Sequence, residues 1–581
     1  MVSNATRPTL RLPGAAELLD RLAVRRAGRL AAAPPLPVLP EPQGIGDFAR
    51  GRQIAAGRIR LGGEVIALAG RSLWDAAVTP AAAAEAQRFA WLDDLAALGD
   101  PAARALAQAW TGDWIARHGR GQVRGAPTGP APRQPWTVAA TAPRLLRMID
   151  HAELLTRGRD PAPLALVIAR QALFLSRRAE AAPAGPPRLA ARIALARAAL
   201  LMPALGLAPP LDAIARDCDT TFGPDGEIAS RNPEHLLDLF TLLLGIARAL
   251  SESDLSPPDP MLAAIARVAP TLRALRHADG GLPRLHGGDR GLEGRLDTAL
   301  AASGIRARAQ TPLHMGFARL SAGRTTIILD AAPPPAGPHA QASTLAFELT
   351  SGRRPLIVSS GPGDAFGPDW HRAARATLSQ STLCLDGHSS SRLPLGADSF
   401  SDMPRRVICE QTPLTRGLRV ETAHDGWTRS HGLTHARTLE LSRDGRTLAG
   451  EDLLTTLGDA DRATFDRATG GRGAGFSLRF HLHPDVAPIP EAGALALVLR
   501  SGEVWLFQHD GTARLSLEPS VHLDPARLRP RPSQQVVLSA TAMSYSTSVR
   551  WTLAKAGDTP QGLRDLARDD RDEDETEDQD P

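Results

Sequence analysis

The chain has 581 residues, enough for two or three domains, and is 43% hydrophobic and 22% charged, the balance of a globular protein with sizeable cores. Lysine occurs once, at Lys555, so nearly all of the 67 basic residues are arginine, a compositional bias that says nothing about nucleic-acid binding. The formal charge of +4 hides an acidic run from Asp569 to Pro581, and the basic excess elsewhere forms no stripe interleaved with aromatics, which argues against a nucleic-acid groove.

In chain order, Met1 to Leu39 breaks up on Pro and Arg and lacks the long apolar stretch of a secretory signal. The expected location is therefore cytoplasmic, with the periplasm as the alternative if the start codon is misassigned. Residues 1–75 read as an N-terminal extension. From about residue 80, apolar residues recur at three- and four-residue spacing over Ala81 to Leu98, Ala102 to His118, Trp136 to Thr156, Pro161 to Ala182 and Arg188 to Leu205, which predicts helices. Pro/Gly stretches beginning at Gly125 and at Ala182 separate them. The most apolar run, Ala198 to Leu211, carries three prolines and is too short to span a bilayer.

One helix start is clear. Asn232 is a good N-cap, Pro233 suits the first helical position, Glu234 favours the first turn, and Leu236 to Leu250 supplies the apolar stretch. The helices of 76–305 fit a bundle, a solenoid or an α/α toroid, and composition does not choose among them.

From about residue 310 the apolar period changes from 3.6 to 2. Strands are expected at Thr325 to Leu329, Thr344 to Leu349, Leu356 to Ser359, Ser381 to Leu385, Arg437 to Leu441, Thr447 to Leu453, Ser477 to His481, Leu495 to Leu499, Val504 to Phe507 and Arg514 to Leu517. Short turns at Arg443 to Arg446, Arg500 to Glu503 and His509 to Thr512 predict hairpins. So many short strands with little helix predict a large antiparallel β-sandwich over 306–565, followed by an acidic tail, 566–581, expected to be disordered.

The sequence holds no phosphate loop, dinucleotide fingerprint, nucleophile elbow or HExxH motif, and its three cysteines are scattered. Candidate chemistry falls instead on irregularly placed polar residues. His339 sits on a loop before an apolar strand, His235 lies in the first turn of the clear helix, and His277 closes the helical half. Trp370-His371-Arg372 leads through Arg375 to Gln380 and Ser381.

Four stretches, in this order, resemble the heparinase II/III-like polysaccharide lyases. They are the tryptophan-rich region holding Phe89, Trp91, Trp110, Trp114 and Trp136 before Arg144; Pro224 to Glu234; Asp279 to Pro283; and His339 to Glu348 with Arg372 to Thr377 and Ser381. The resemblance runs from about Trp74 to Trp551. It implies an α/α toroid followed by an antiparallel β-sandwich, and β-elimination at a uronic acid within an acidic polysaccharide.

Under the resemblance, His339 corresponds to the family's sheet-domain histidine and is a candidate catalytic group. The family's helical-domain tyrosine has no counterpart: the one tyrosine is Tyr545, and His235 stands at the matching position. The helix resembling the family's upstream Asn- or His-bearing helix, Arg188 to Met202, has neither residue. Asn232, Arg372 and Arg375 are candidate substrate-binding groups, although Asn232 also serves as an N-cap. Some members hold zinc with two histidines and an aspartate; Gln341, Ser359 and Gln380 stand there instead, which implies no metal and no cofactor. The expected function is a polysaccharide lyase-like activity on a uronate-containing glycan. The alternative is a non-catalytic protein that binds acidic glycan or assembles the envelope. The expected partner is an acidic polysaccharide, with neither nucleic acid nor a membrane span.

Overall fold

The computed structural model describes residues 15–33, 36, 46–76, 78–121, 135–307, 311–557 and 565. The expected acidic tail and most of the segment before residue 46 thus lie outside the described residues. The chain divides into two compact units. One comprises 1–61, 66–221 and 245–261, and the other comprises 62–65, 222–244 and 262–581.

The first unit is helical. Its helices include Pro80–Ala86, Ala90–Leu98, Pro101–His118, Val138–Asp150, Ala162–Arg178, Pro186–Leu201 and Ala208–Thr221. Thr79, Asp100 and Thr137 cap three of them by accepting from backbone N–H groups one turn on. The stretch expected as one helix over Ala81 to Leu98 is two, because Phe89 adopts a left-handed φ of 63°. The reason is packing: the Phe89 ring lies 4.6 Å from Trp91 and 5.6 Å from Trp114. Arg144 completes this cluster, 4.2 Å above the Trp114 ring, with Nε donating to Gln171 Oε1 at 2.8 Å. The tryptophans are core side chains here, not sugar platforms.

The second unit carries two antiparallel sheets. In one, Leu313–His314, Phe317–Ala322, Thr325–Asp330, Phe347–Ser351 and Arg354–Val358 are successive neighbours. Ala474–Leu482, Arg531–Ala542 and Arg514–His522 extend it, and Leu383–Leu385 pairs beside them. The other sheet runs Val407–Leu414, Gly417–Trp427, Leu433–Ser442, Thr447–Thr455, Ser546–Lys555, Val504–His509, Ala494–Leu499 and Val486–Glu491. The inner faces meet where Phe347 of the first sheet stacks on Trp551 of the second at 5.8 Å, with Phe480 edge-on to Trp551 at 4.8 Å. This is a β-sandwich with one continuous apolar core.

Two of the three expected hairpins form as read, at Arg443 to Arg446 and Arg500 to Glu503. The third does not. After Val504–His509 the Asp510-Gly511 turn carries the chain to Arg514–His522 in the opposite sheet, because each strand already has its partners there. The strand expected from Thr344 begins at Phe347, since Leu345 has φ 63° and donates to Asp330 O.

A polar chain crosses the sandwich core. Gly426 N–H donates to His424 Nδ1 at 3.0 Å. His424 Nε2 lies 3.3 Å from His435 Nδ1, and His435 Nε2 lies 2.8 Å from Asp452 Oδ1. Since a carboxylate only accepts, each neutral imidazole carries its proton on Nε2 and every nitrogen is used. Arg437 Nε and Trp551 Nε1 complete the shell of Asp452 at 2.7 and 2.9 Å.

Residues 222–244 and 262–305, expected within the helical domain, belong with the sheets. Arg231 donates to the carbonyls of Met315, Gly316 and Pro333, and Arg319 Nη1 to that of Ala274 at 2.9 Å.

Candidate active site

His339 lies on the loop between Thr325–Asp330 and Phe347–Ser351, and its side chain is exposed. Two residues of the following segment hold that loop. Arg375 donates from Nε to Ala340 O at 2.8 Å and from Nη2 to Asp398 O at 2.9 Å. His371, on the short helix Pro368–Ala374, contacts Pro338 O through Nε2 at 3.0 Å. A carbonyl only accepts, so His371 Nε2 bears the proton and Nδ1 is left as an acceptor. Burial lowers the His371 pKa, with the His339 and Arg375 charges adding to the shift and Asp364 opposing it. The two imidazoles meet edge to face.

Beneath the loop sits a buried charged scaffold that periodicity does not reveal. Asp330 is 0% exposed and takes Arg231 Nη2 on Oδ1 and Ser343 Oγ on Oδ2 at 2.6 Å. His286 Nε2 lies 3.3 Å from the same Oδ2. Burial opposes ionisation of Asp330, but Arg231 and His286 overcome it and hold its pKa far below the usual carboxylate range. His286 is exchanged with Gln341 twice: its N–H donates to Gln341 Oε1 at 2.7 Å, and Gln341 N–H reaches His286 Nδ1 at 3.3 Å. Gln341 thus ties the His339 loop to the 279–290 segment.

That segment also meets the helix Pro233–Glu252. Asn232 Oδ1 accepts from His235 N–H at 2.9 Å, the capping contact, which leaves its amide N–H groups to donate elsewhere. Glu234 accepts from Asp289 N–H at 2.8 Å. Burial pushes the Glu234 carboxyl well above its ordinary pKa, helped by the Asp238 and Asp289 charges, and lowers that of the half-buried His235. Between these groups run Gly287 and Gly288. A Cβ on Gly287 (φ 83°) would stand 2.7 Å from His339 Cβ, and one on Gly288 would stand 2.6 Å from Asn232 Oδ1. Asn232 and His339 therefore flank one glycine pair, with His235 a turn into the capped helix.

The arginines expected to bind substrate have other partners. Arg375 is 3% exposed and clamps the His339 loop, and Arg372 donates to the carbonyls of Leu393 and Pro394 at 2.7 and 3.0 Å. Both guanidiniums donate to backbone carbonyls of loops outside the sheets, contacts that brace those loops. Tyr545 is 41% exposed, and its hydroxyl donates to Asp466 at 2.9 Å on the sandwich.

The residues at the family's zinc positions do not suit zinc. Gln341 is committed to His286, Gln380 Nε2 donates to Ala374 O at 2.8 Å, and Ser359 N–H donates to Glu348 at 3.0 Å. The side-chain oxygens Ser359 Oγ and Gln380 Oε1 are buried without a hydrogen-bond partner among the described residues, but neither is a carboxylate, thiolate or imidazole. Among the described residues, no three His, Cys, Asp or Glu are grouped to hold a metal.

His286 was not named from sequence, and His371 was named only within the Trp370-His371-Arg372 run, with no role of its own. The signal for His371 was its place directly before the motif arginine Arg372. For His286 it was the Gly287-Gly288 pair, a mark of close backbone approach.

Residues 306–552 match the family described as Heparinase II/III-like, C-terminal. A protein of Caulobacter vibrioides (strain NA1000 / CB15N), FtsZ-localized protein C, is 30% identical over 551 residues, covering 89% of this chain and 91% of that one. A crystal structure of heparinase III superposes with a TM-score of 0.65 at 12% identity, over 92% of this chain and 89% of that chain. A mutant of the heparan sulfate lyase HepC from Pedobacter heparinus does so with a TM-score of 0.56 at 13% identity, over 93% and 88%. These likenesses show the fold: an α/α-toroid helical part followed by an antiparallel β-sandwich. Among the described residues, no helix is long and apolar enough to cross a membrane.

Proposed function

The chain belongs to the heparinase II/III-like family, and on that premise we propose that it cleaves a uronate-containing polysaccharide by β-elimination. The observation that carries this reading is the pair His339 and His371, two imidazoles in edge contact, one on an exposed loop and the other on the helix Pro368–Ala374. In the reaction a base removes the uronate C5 proton, the electron pair forms the C4–C5 double bond, and the C4–oxygen bond breaks. An acid then protonates the leaving oxygen. One imidazole serves as base and the other as acid, which answers the missing tyrosine. Asn232, whose amide N–H groups remain after capping, donates to the uronate carboxylate as charge builds on it, and His235 is the second proton-handling candidate. Incubating the protein with heparan sulfate, alginate and related uronates should raise the ultraviolet absorbance of the unsaturated product. Silence from folded protein across the panel overturns the reading.

A second reading is a non-catalytic protein that binds acidic glycan or assembles the envelope. Its support is the name of the 30% identical relative, FtsZ-localized protein C, together with the absent tyrosine. Saturable glycan binding without product separates it from the first. The cytoplasmic location remains part of the proposal, and fractionation of cells carrying the native locus tests it.

A further inference from the structure

The helical unit holds a cavity of about 640 Å³ that shares no residue with the candidate active site. Its lining comes from the C-terminal end of Pro101–His118 with the following Arg120, from the first half of Ala162–Arg178, and from Ala31 to Ala33. The volume falls within the range of small-molecule sites, roughly 300–1,000 Å³. Two kinds of surface meet there. Ile115, Pro163 and Leu166 are apolar and none is fully buried, whereas Arg117, Arg120 and Arg170 bring guanidiniums and Asp160 a carboxylate.

These charges do not cancel. Arg117 is taken by Asp75, 2.8 Å away. Arg170 is 6% exposed, yet it has no carboxylate partner among the described residues. Its Nε and Nη2 donate to Leu30 O at 3.2 and 2.7 Å, and its Nη1 donates to Gly119 O at 3.2 Å. Those contacts use three of its five N–H groups and supply dipoles, not a counter-ion. The charge that acts on it is a second cation: burial lowers the Arg170 pKa, and Arg120 lowers it further. Arg120 is exposed and its side chain makes no hydrogen bond or ion pair among the described residues. Asp160 accepts from Ala162 N–H at 3.0 Å, at the start of its own helix, and pairs with no arginine among the described residues. Two unanswered guanidiniums against one carboxylate leave a single net positive charge on the lining.

We propose that this cavity binds an amphipathic monoanion, a carboxylate carrying an apolar chain. A carboxylate offers two oxygens to the N–H groups that Arg120 and Arg170 leave unused, and it relieves the repulsion between the two cations. The chain of such a ligand would cover Ile115, Pro163 and Leu166, which the protein leaves in contact with water. The single net charge matches one carboxylate and does not call for a dianion. The site does not depend on the lyase reading, since none of these groups is the His339–His371 pair.

Calorimetric titration of the full chain at low ionic strength tests it with three probes: octanoate, acetate and octanol. Octanoate should bind saturably, one per chain. Acetate, which lacks the chain, and octanol, which lacks the charge, should each bind at least ~10-fold more weakly. Arg120→Gln should weaken octanoate by at least ~10-fold, as expected for loss of one charge-assisted contact, and leave octanol unchanged. Arg120 is exposed, so this variant is expected to fold as the parent does. Leu166→Ala should weaken octanoate and octanol alike. Absence of saturable octanoate binding, octanol or acetate binding as tightly as octanoate, or an affinity for octanoate unchanged by Arg120→Gln would each overturn the proposal.

Discussion

His339 and His371 stand edge to face, with ring centroids 5.5 Å apart and an interplanar angle of 86°. The contact joins an exposed imidazole to one whose Nε2 proton is fixed on Pro338 O. If the pair moves the protons of an elimination, His339→Ala and His371→Ala should each lower turnover by at least ~100-fold with folding intact. His235→Ala should also lower it, whereas Tyr545→Phe should not.

The same pair has a titration signature. Burial keeps the His371 pKa below 6.5, and the His339 charge lowers it further. Replacing His339 with alanine should therefore raise the His371 pKa in an NMR titration while leaving it below 6.5. An unchanged or lower value would mean that the two rings do not interact in solution.

Gly287 separates backbone strain from displacement of His339. Alanine at either Gly287 (φ 83°) or Gly294 (φ 74°) meets the left-handed penalty of about 1–2 kcal/mol. Only at Gly287 would the new Cβ press on His339, whereas nothing lies within 4 Å at Gly294. Both variants should lose the backbone penalty in stability, Gly287→Ala losing more because of the added contact, with turnover lost in Gly287→Ala alone. Equal turnover in the two variants would sink the idea.

Removing Arg231 should leave Asp330 charged and buried. Arg231→Ala is expected to destabilise by about 3–5 kcal/mol in urea unfolding, the range for breaking a buried pair from one side. Arg231→Lys should recover little, because one ammonium does not replace a fork that reaches Asp330 and several carbonyls.

Acid should weaken the sandwich as its buried histidines take up protons. His424 is held well below 6.5 by burial, then by His435 and Arg437, and burial likewise lowers His435. Their folded pKa values are depressed, so the unfolded chain binds more protons below 6.5. The stability they contribute is present above that pH and is lost as pH falls through the window beneath it. The expected slope approaches about 1 kcal/mol per pH unit per histidine. His424→Gln should flatten the curve between pH 6.5 and 5; an unaltered slope would place the titrating groups elsewhere.

Much of the architecture was legible because local periodicity reports burial. The change of period near residue 310, the Asn232-Pro233 helix start and most sandwich strands follow from side chains that must face a core. Val407–Leu414 was missed because it is the edge strand and none of its residues is fully buried, and Gly417–Trp427 because two of its buried positions, Thr422 and His424, are polar. Phe89 broke an apparently continuous helix because its aromatic neighbours are favourable enough to hold a left-handed backbone.

The sequence by itself determined the helix-to-sheet order, the family and the candidacy of His339, all of which rest on local pattern and motif order. Only the tertiary structure decided which polar groups meet. Arg231 finds Asp330 across 99 residues, and His286 finds Gln341 across 55. Arg375, adjacent to a motif yet buried, turns to the carbonyls of Ala340 and Asp398. Such pairings are selected when folding strips water from charged groups and backbone carbonyls, so that each must take whatever partner the closed chain brings within reach.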